Sequence, residues 1–258
     1  LSIRRQRQMC IRDRCCFNPG EAKSTYGTGC FLLLNTGDKR IFSANRLLST
    51  IAYRLDGKTT YGLEGSIFVA GSAIQWLRDE LNFFESAKDS EEIISHRNVK
   101  SKVLVVPAFT GLGAPHWDPE SRGSIFGLTR DTSIADLTAA TLESIAFQTK
   151  DLIGAMENDG ANFSDLRVDG GMVANNWFSQ QLANILNIDV LRPKVIETTA
   201  LGASYLASMK AGLCPNIESL SSSWVSEKTF YSEEKEIKIL QEKYRIWLSA
   251  VERTKGLY

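Results

Sequence analysis

The sequence predicts an α/β fold built around one sheet, and three observations carry that expectation. From Cys16 onward, short apolar runs alternate with longer stretches of helical periodicity. A glycine-bracketed turn, Ser24-Thr25-Tyr26-Gly27-Thr28-Gly29-Cys30-Phe31, stands near the start of that alternation. A second, Val168-Asp169-Gly170-Gly171-Met172-Val173-Ala174-Asn175, lies far downstream, where an apolar strand runs into a helix start. Glycines at such bends let backbone N–H groups converge on an anion, and the two bends together suit a nucleotide phosphate. Taken singly, Gly27 and Gly29 are more often plain hairpin residues supplying positive φ, and Gly170 and Gly171 could likewise be an ordinary strand-to-helix connection.

Each element has its own local reason. Thr25 to Asn35 reads as a hairpin limb, its apolar run Phe31-Leu32-Leu33-Leu34 stopped by Asn35-Thr36-Gly37. Short strands are expected around Ser49 to Leu55 and Thr59 to Leu63, then a helix from Ile67 to Phe83. Val103-Leu104-Val105-Val106 is a buried strand closed by Pro107. The Gly- and Pro-rich stretch from Thr110 to Gly123 is long enough to be a functional loop. Ser133 to Asn158 is a helix, opened by Ser133 with Asp136 at capping-box spacing and closed near Gly160. Its apolar residues occupy more than one face, so it should pack on two sides. Leu166 to Val168 follows as a strand, Asn175 to Leu186 as a helix, Val190-Leu191 as a strand and Thr198 to Ala211 as a helix. In that last helix Ala200, Ala203, Ser204, Ala207 and Ala211 form a small-residue stripe that would let a neighbouring helix approach closely. Ile237, Leu240, Tyr244, Trp247 and Val251 step by three and four residues, which predicts a carboxy-terminal helix docked on its own core.

Residues 1 to 14 stand apart. Arg4, Arg5, Arg7, Arg12 and Arg14 crowd a segment with no periodicity, so it is expected to be disordered or foreign to a domain running from 15 to 258. No apolar stretch follows the charges, as a secretory signal would require. Thirty basic residues balance thirty acidic ones, leaving no overall field for nucleic acid or a membrane surface. Cys10, Cys15, Cys16, Cys30 and Cys214 are odd in number and lack C-x-x-C spacing, which argues against a disulfide framework or a zinc site and for a reducing cytoplasm. His96 and His116 stand far apart in sequence and suggest neither a metal site nor a triad. Asp118, Glu120 and Arg122 could touch a ligand or merely brace the long loop, and Trp117 is read as a lid over core. Gly71 and Gln75, four residues apart, share a helix face where a missing side chain beside an amide could admit a flat polar group such as a purine, although by itself such a pair is more often a helix-packing glycine next to a solvated Gln.

Several of these segments, in order, resemble the glycerol kinase branch of the FGGY carbohydrate kinases. They are Ser24 to Phe31, Leu63-Glu64-Gly65-Ser66 with Ala70 to Asp79, Val106 to Pro115, Gly123 to Glu143, and Arg167 to Gly171 with Val173 to Asn176. The resemblance implies the actin-like, ribonuclease-H-like ATPase fold, and of its two lobes only the second. It implies ATP with Mg²⁺, ADP as product, and glycerol as acceptor. Thr28 would approach the terminal phosphates. Gly71 and Gln75 would line the nucleotide pocket, Gly171 and Asn175 would hold the adenosine and α-phosphate side, and Phe31 would pack on the glycerol carbons. The family's catalytic aspartate precedes the segment that begins here at Cys16-Phe17. An ungapped register puts Gln6 in its place, and Asp13 lacks the expected neighbours, so no catalytic residue is assigned. The expected fragment binds ATP weakly and is inactive alone, with self-association of a full-length protein left open. The alternatives are a non-catalytic nucleotide-binding module, a kinase for another small polyol or sugar, or an actin-like ATPase.

Overall fold

The structure, a computed structural model, describes residues 16–55, 57–98, 101–194, 207–208, 211–212 and 226–256. The basic segment 1–14 lies outside them, as do Ala200, Ala203 and Ser204 of the expected small-residue stripe.

The glycine-bracketed turn joins strands β1 (Glu21–Tyr26) and β2 (Cys30–Gly37), whose antiparallel register runs from Ala22 opposite Leu34 to Tyr26 opposite Cys30. A second hairpin, β3 (Leu48–Leu55) and β4 (Lys58–Ile67), turns at Gly57 in the left-handed region and pairs through β4 with β2. β4 runs on to Ile67, so the helix expected there starts later, as α1 (Gly71–Asp79). The reason is tertiary: Ile67 lies opposite Cys30 with its side chain in the core, which holds the chain extended past the point where its apolar run would suit a helix. At the other end Asn82 takes a positive φ, so the predicted end at Phe83 is also too late.

A short helix that the sequence did not announce follows, α2 (Asp89–Ile94). The buried run before Pro107 forms β5 (Leu104–Val106), and beyond the long loop it pairs with β6 (Ser124–Phe126), also unannounced. The long helix α3 (Ile134–Asn158) is as expected. Ser133 Oγ accepts the Asp136 N–H at 3.2 Å while the Asp136 carboxylate accepts the Ser133 N–H at 2.9 Å, so both legs of the capping box form. It is buried along most of its length, as a helix packed on two sides must be.

Next come β7 (Asp165–Asp169), a single 3₁₀ turn over Gly171–Ala174, α4 (Asn176–Leu186) and β8 (Val190–Pro193). β9 (Ser226–Phe230) closes the sheet and α5 (Glu234–Thr254) ends the chain. The seven-stranded order is β3-β4-β2-β1-β7-β8-β9, with β7 parallel to β1 and β8 parallel to β7. β1 therefore has an antiparallel neighbour on one side and a parallel one on the other. On α5, Leu240, Trp247 and Val251 are buried in the main core, and the Trp247 indole donates to the Val105 carbonyl at 2.9 Å. The helix thus docks on its own domain, satisfying its buried polar atom. Among the described residues no helix is long and apolar enough to cross a membrane.

Asp136 also accepts the backbone N–H of Asn98 at 2.8 Å, so one carboxylate ties the start of α3 to the chain leaving α2. Burial pushes its pKa up, but the bonds from Ser133 and Asn98 outweigh this and hold it below the ordinary carboxylate value. A depressed pKa means stability that is present above the unfolded-state value of about 4 and is lost as pH falls through the folded-state value. Asp136→Ala should cost about 1–2 kcal/mol at neutral pH, and Asp136→Asn should show a shallower loss of stability on acidification below about pH 4 than the parent chain. Urea melts between neutral and acid pH check both.

Candidate functional site

The first turn is held from below by its own carbonyls. Thr28 O accepts from Ala70 N at 2.9 Å, Ser72 N at 3.1 Å and Ser72 Oγ at 3.0 Å, and Gly27 O accepts from Gly71 N at 2.9 Å. The first turn of α1 is therefore clamped to the hairpin, and the Thr28 side chain is left exposed, its hydroxyl unpartnered among the described residues. Neither Gly27 nor Gly29 has a positive φ, so the hairpin-glycine explanation fails. Space is the reason at Gly29: a Cβ there would meet the Ile67 carbonyl oxygen at 2.6 Å. Beneath the turn, Cys30 Sγ lies 3.0 Å from Ser24 Oγ, and burial pushes its pKa to about 12, so it stays a thiol at neutral pH and acts as a spacer.

The second turn lies against the first. β1 and β7 run parallel with Thr25 beside Asp169, and both bends leave their strands at the carboxyl ends. Gly170 takes a φ of 91°, and a Cβ on it would collide with the Tyr26 backbone. Gly171 is different: a Cβ there would meet nothing within 4 Å. Asn175 caps α4, accepting the Phe178 N–H on Oδ1 at 2.9 Å.

Thr28, Gly71, Gln75, Gly171 and Asn175 all line one cavity of about 700 Å³. Tyr26 forms part of its base: fully buried, its ring edge-on to Phe178 at 5.2 Å, its hydroxyl 3.0 Å from that of Thr149, and kept protonated by burial. Along α1, Gly71, Gln75 and Arg78 fall on the cavity side, with the Arg78 guanidinium forked onto Asp79 at 2.6 and 2.9 Å. The opposite wall is the segment from Ser86 to Glu91, including Lys88, for which the sequence offered no signal. α2 spans six residues, too short for an apolar period to show. Arg78 was more legible, seven residues beyond Gly71 on the same helix face. The Thr28 hydroxyl, the Gln75 and Asn175 amides and two cations, Arg78 and Lys88, line this cavity together with one carboxylate, Glu91, and can bind and orient an anionic ligand.

The remaining sequence-singled residues fall elsewhere. Phe31 is on β2, half exposed, on the sheet face opposite Cys30, and does not line the cavity. Asp118 and Arg122 brace the long loop: Asp118 accepts from Glu120 N, Ser121 N and Ser121 Oγ, and Arg122 donates to the Pro119 and Ser121 carbonyls. Bonding to the Ser121 hydroxyl helps to hold the Asp118 carboxyl below its usual pKa. Trp117 is not a lid over core. It is 39% exposed, its ring edge-on to Phe68 at 6.0 Å and its indole donating to Arg46 O at 2.7 Å, because the loop holds it out at a positive φ. His116 pairs with Asp151 at 2.8 Å, Asp151 also takes the Tyr244 hydroxyl, and these three tie the loop, α3 and α5 together. Among the described residues no group of three or more His, Cys, Asp or Glu stands together as a metal site.

Residues 22–211 match the family described as the FGGY family of carbohydrate kinases, C-terminal domain. A glycerol kinase of Marinomonas sp. (strain MWYL1) is 56% identical over 223 residues, covering 86% of this chain and 45% of that protein. One of Ectopseudomonas mendocina (strain ymp) is 51% identical over 257 residues, 99% of this chain and 52% of that protein. The chain thus spans about half the length of the curated relatives it matches. Among solved structures, that of Plasmodium falciparum glycerol kinase with ADP superimposes with a TM-score of 0.88 at 36% identity, over 96% of this chain and 50% of that one. A ligand-bound xylulose kinase from Lactobacillus acidophilus does so with a TM-score of 0.86 at 21% identity, over 98% of this chain and 51% of that one, a likeness of fold alone. The fold is the actin-like, ribonuclease-H-like ATPase fold that the motifs implied.

Gly71 and Gly171, both lining the cavity, should respond differently to a methyl group. A Cβ on Gly71 would lie 2.5 Å from the Gly27 carbonyl oxygen, so Gly71→Ala must displace the clamp between α1 and the hairpin and destabilise the chain by about 1–3 kcal/mol. Gly171→Ala has room and should stay within about 0.5 kcal/mol of the parent. Thermal melts of the two variants side by side check this.

Proposed function

The chain belongs to the FGGY family of carbohydrate kinases, and on that premise we propose that its residues form the nucleotide-binding half of an ATP-dependent kinase whose acceptor is glycerol and whose product is glycerol 3-phosphate. The observation that carries the reading is the meeting of Thr28, Gly71, Gln75, Gly171 and Asn175 around one cavity. Along one wall, from Gly71 to Arg78, the face of α1 rises by about 10 Å.

The phosphates belong at the Thr28 and Gly171 end, where two bends expose backbone and the Thr28 hydroxyl is uncommitted. The base belongs toward Gln75 and Arg78. Phosphoryl transfer is chiefly a matter of positioning and of spreading charge over phosphate oxygens, and this chain's contribution is to fix the nucleotide from the first bend to the second. Mg²⁺, when bound to the phosphates, would neutralise their charge; among the described residues no group of three or more His, Cys, Asp or Glu stands together to hold the ion. No catalytic base is assigned to this chain. Phe31, near the hairpin turn but outside the cavity, is the residue proposed to pack on the glycerol carbons. A cytoplasmic setting, where ATP is available, suits this activity.

Titrating ADP with Mg²⁺ into the 258-residue chain tests the nucleotide reading. The expected result is saturable binding, competed by ATP and weakened at least about tenfold by Gly171→Ala, whose methyl group would stand in the ligand's space. Absence of binding overturns the reading, and binding indifferent to Gly171→Ala places the nucleotide elsewhere. For the acceptor, in a catalytically active protein carrying these residues, Phe31→Ala should raise KM for glycerol while leaving KM for ATP near its parent value. Steady-state kinetics with each substrate varied in turn checks it.

A further inference from the structure

We infer that Ser90 is a positioning residue of this cavity, orienting the Asn175 amide so that one of its N–H bonds is left to donate to a bound nucleotide. The inference rests on the nucleotide reading above. The backbone N–H of Phe178 lies 2.9 Å from Asn175 Oδ1, and because a backbone N–H can only donate, the atom facing it must be the amide oxygen. The amide nitrogen is therefore turned the other way, where it donates to Ser90 Oγ at 3.2 Å. Ser90 can accept because its own hydroxyl hydrogen goes to the Ala87 carbonyl at 2.6 Å.

The relay thus runs in one sense only, from Asn175 to Ser90 to Ala87. Ser90 is 1% exposed, so its hydroxyl is committed to this relay rather than to bulk solvent. The neighbouring Glu91 accepts the Asn176 N–H at 3.2 Å, which fastens α2 to the first turn of α4 and fixes the spacing of the Ser90–Asn175 pair. One amide hydrogen of Asn175 remains, without a partner among the described residues and on a side chain that lines the cavity. Held this way, Asn175 has an uncommitted N–H to offer, which suits a phosphate or sugar oxygen.

A double-mutant cycle tests this with Mg²⁺ and ADP as the probe, each variant also being melted to record its stability. Asn175→Ser supplies the reference background, because serine retains the helix cap but has no amide to orient. Ser90→Ala should weaken ADP binding about 5- to 10-fold in the parent chain, as loss of one hydrogen bond implies, and less than about twofold in the Asn175→Ser background. Ser90→Thr, which keeps the hydroxyl, should bind ADP more tightly than Ser90→Ala even if it is no more stable. Equal weakening by Ser90→Ala in both backgrounds, no weakening in either, or a threonine variant as poor as the alanine one overturns the inference while the nucleotide reading stands. If the parent chain binds no ADP, the nucleotide reading falls and the role of Ser90 falls with it.

Discussion

The parallel pairing of β1 with β7 is the constraint on which the site depends. Parallel neighbours deliver their carboxyl ends to the same edge of a sheet, so the bends after Tyr26 and after Asp169 emerge side by side although they are far apart in sequence. At this strand the sheet also changes character, β2 antiparallel on one side and β7 parallel on the other. A crevice outside the carboxyl ends of strands, where the connections diverge, is where open α/β sheets bind ligands. Gly170 makes the approach possible, because any side chain there would strike the Tyr26 backbone.

Around that junction, rigidity comes from backbone bonds more than from side chains. The hairpin turn spends its carbonyls on the start of α1, which leaves the exposed Thr28 hydroxyl for a ligand. Beneath it Ser24, Cys30, Tyr26 and Thr149 form two buried hydroxyl and thiol pairs that satisfy one another without charge. A neutral, fully packed base costs no desolvation of ions and keeps the turn in a single arrangement. The charged groups stand at the walls, where Arg78 is braced by Asp79 and Glu91 is bound to the start of α4.

What could be read from the sequence was whatever local chemistry decides. Ser133 and Asp136 announce a helix start because the bonds that make it lie within one turn, and Pro107 ends a buried strand whatever surrounds it. The glycine turns were visible as turns, though the reason for Gly29 was not: it is the backbone of Ile67 and Phe68 passing overhead, a contact no spacing reveals. The same tertiary contact misled the start of α1, since Ile67 to Ala70 is an apolar run at ease in a helix until pairing with Cys30 claims Ile67 for a strand. The wall from Ser86 to Glu91 was invisible because it is polar and short, and its place is set by bonds to Asn175 and Asn176 rather than by burial of an apolar face. Trp117, expected to cover core as a lid, is instead carried outward by a backbone-held loop.

In the proposed nucleotide site, two bends on neighbouring strands grip one polyphosphate between them. A crystal structure of the chain grown with ADP and Mg²⁺ tests it most directly. Phosphate density is expected between Thr28 and Gly171, with the base lying along α1 toward Arg78. A nucleotide seated anywhere else, with that space still filled by water, would contradict it.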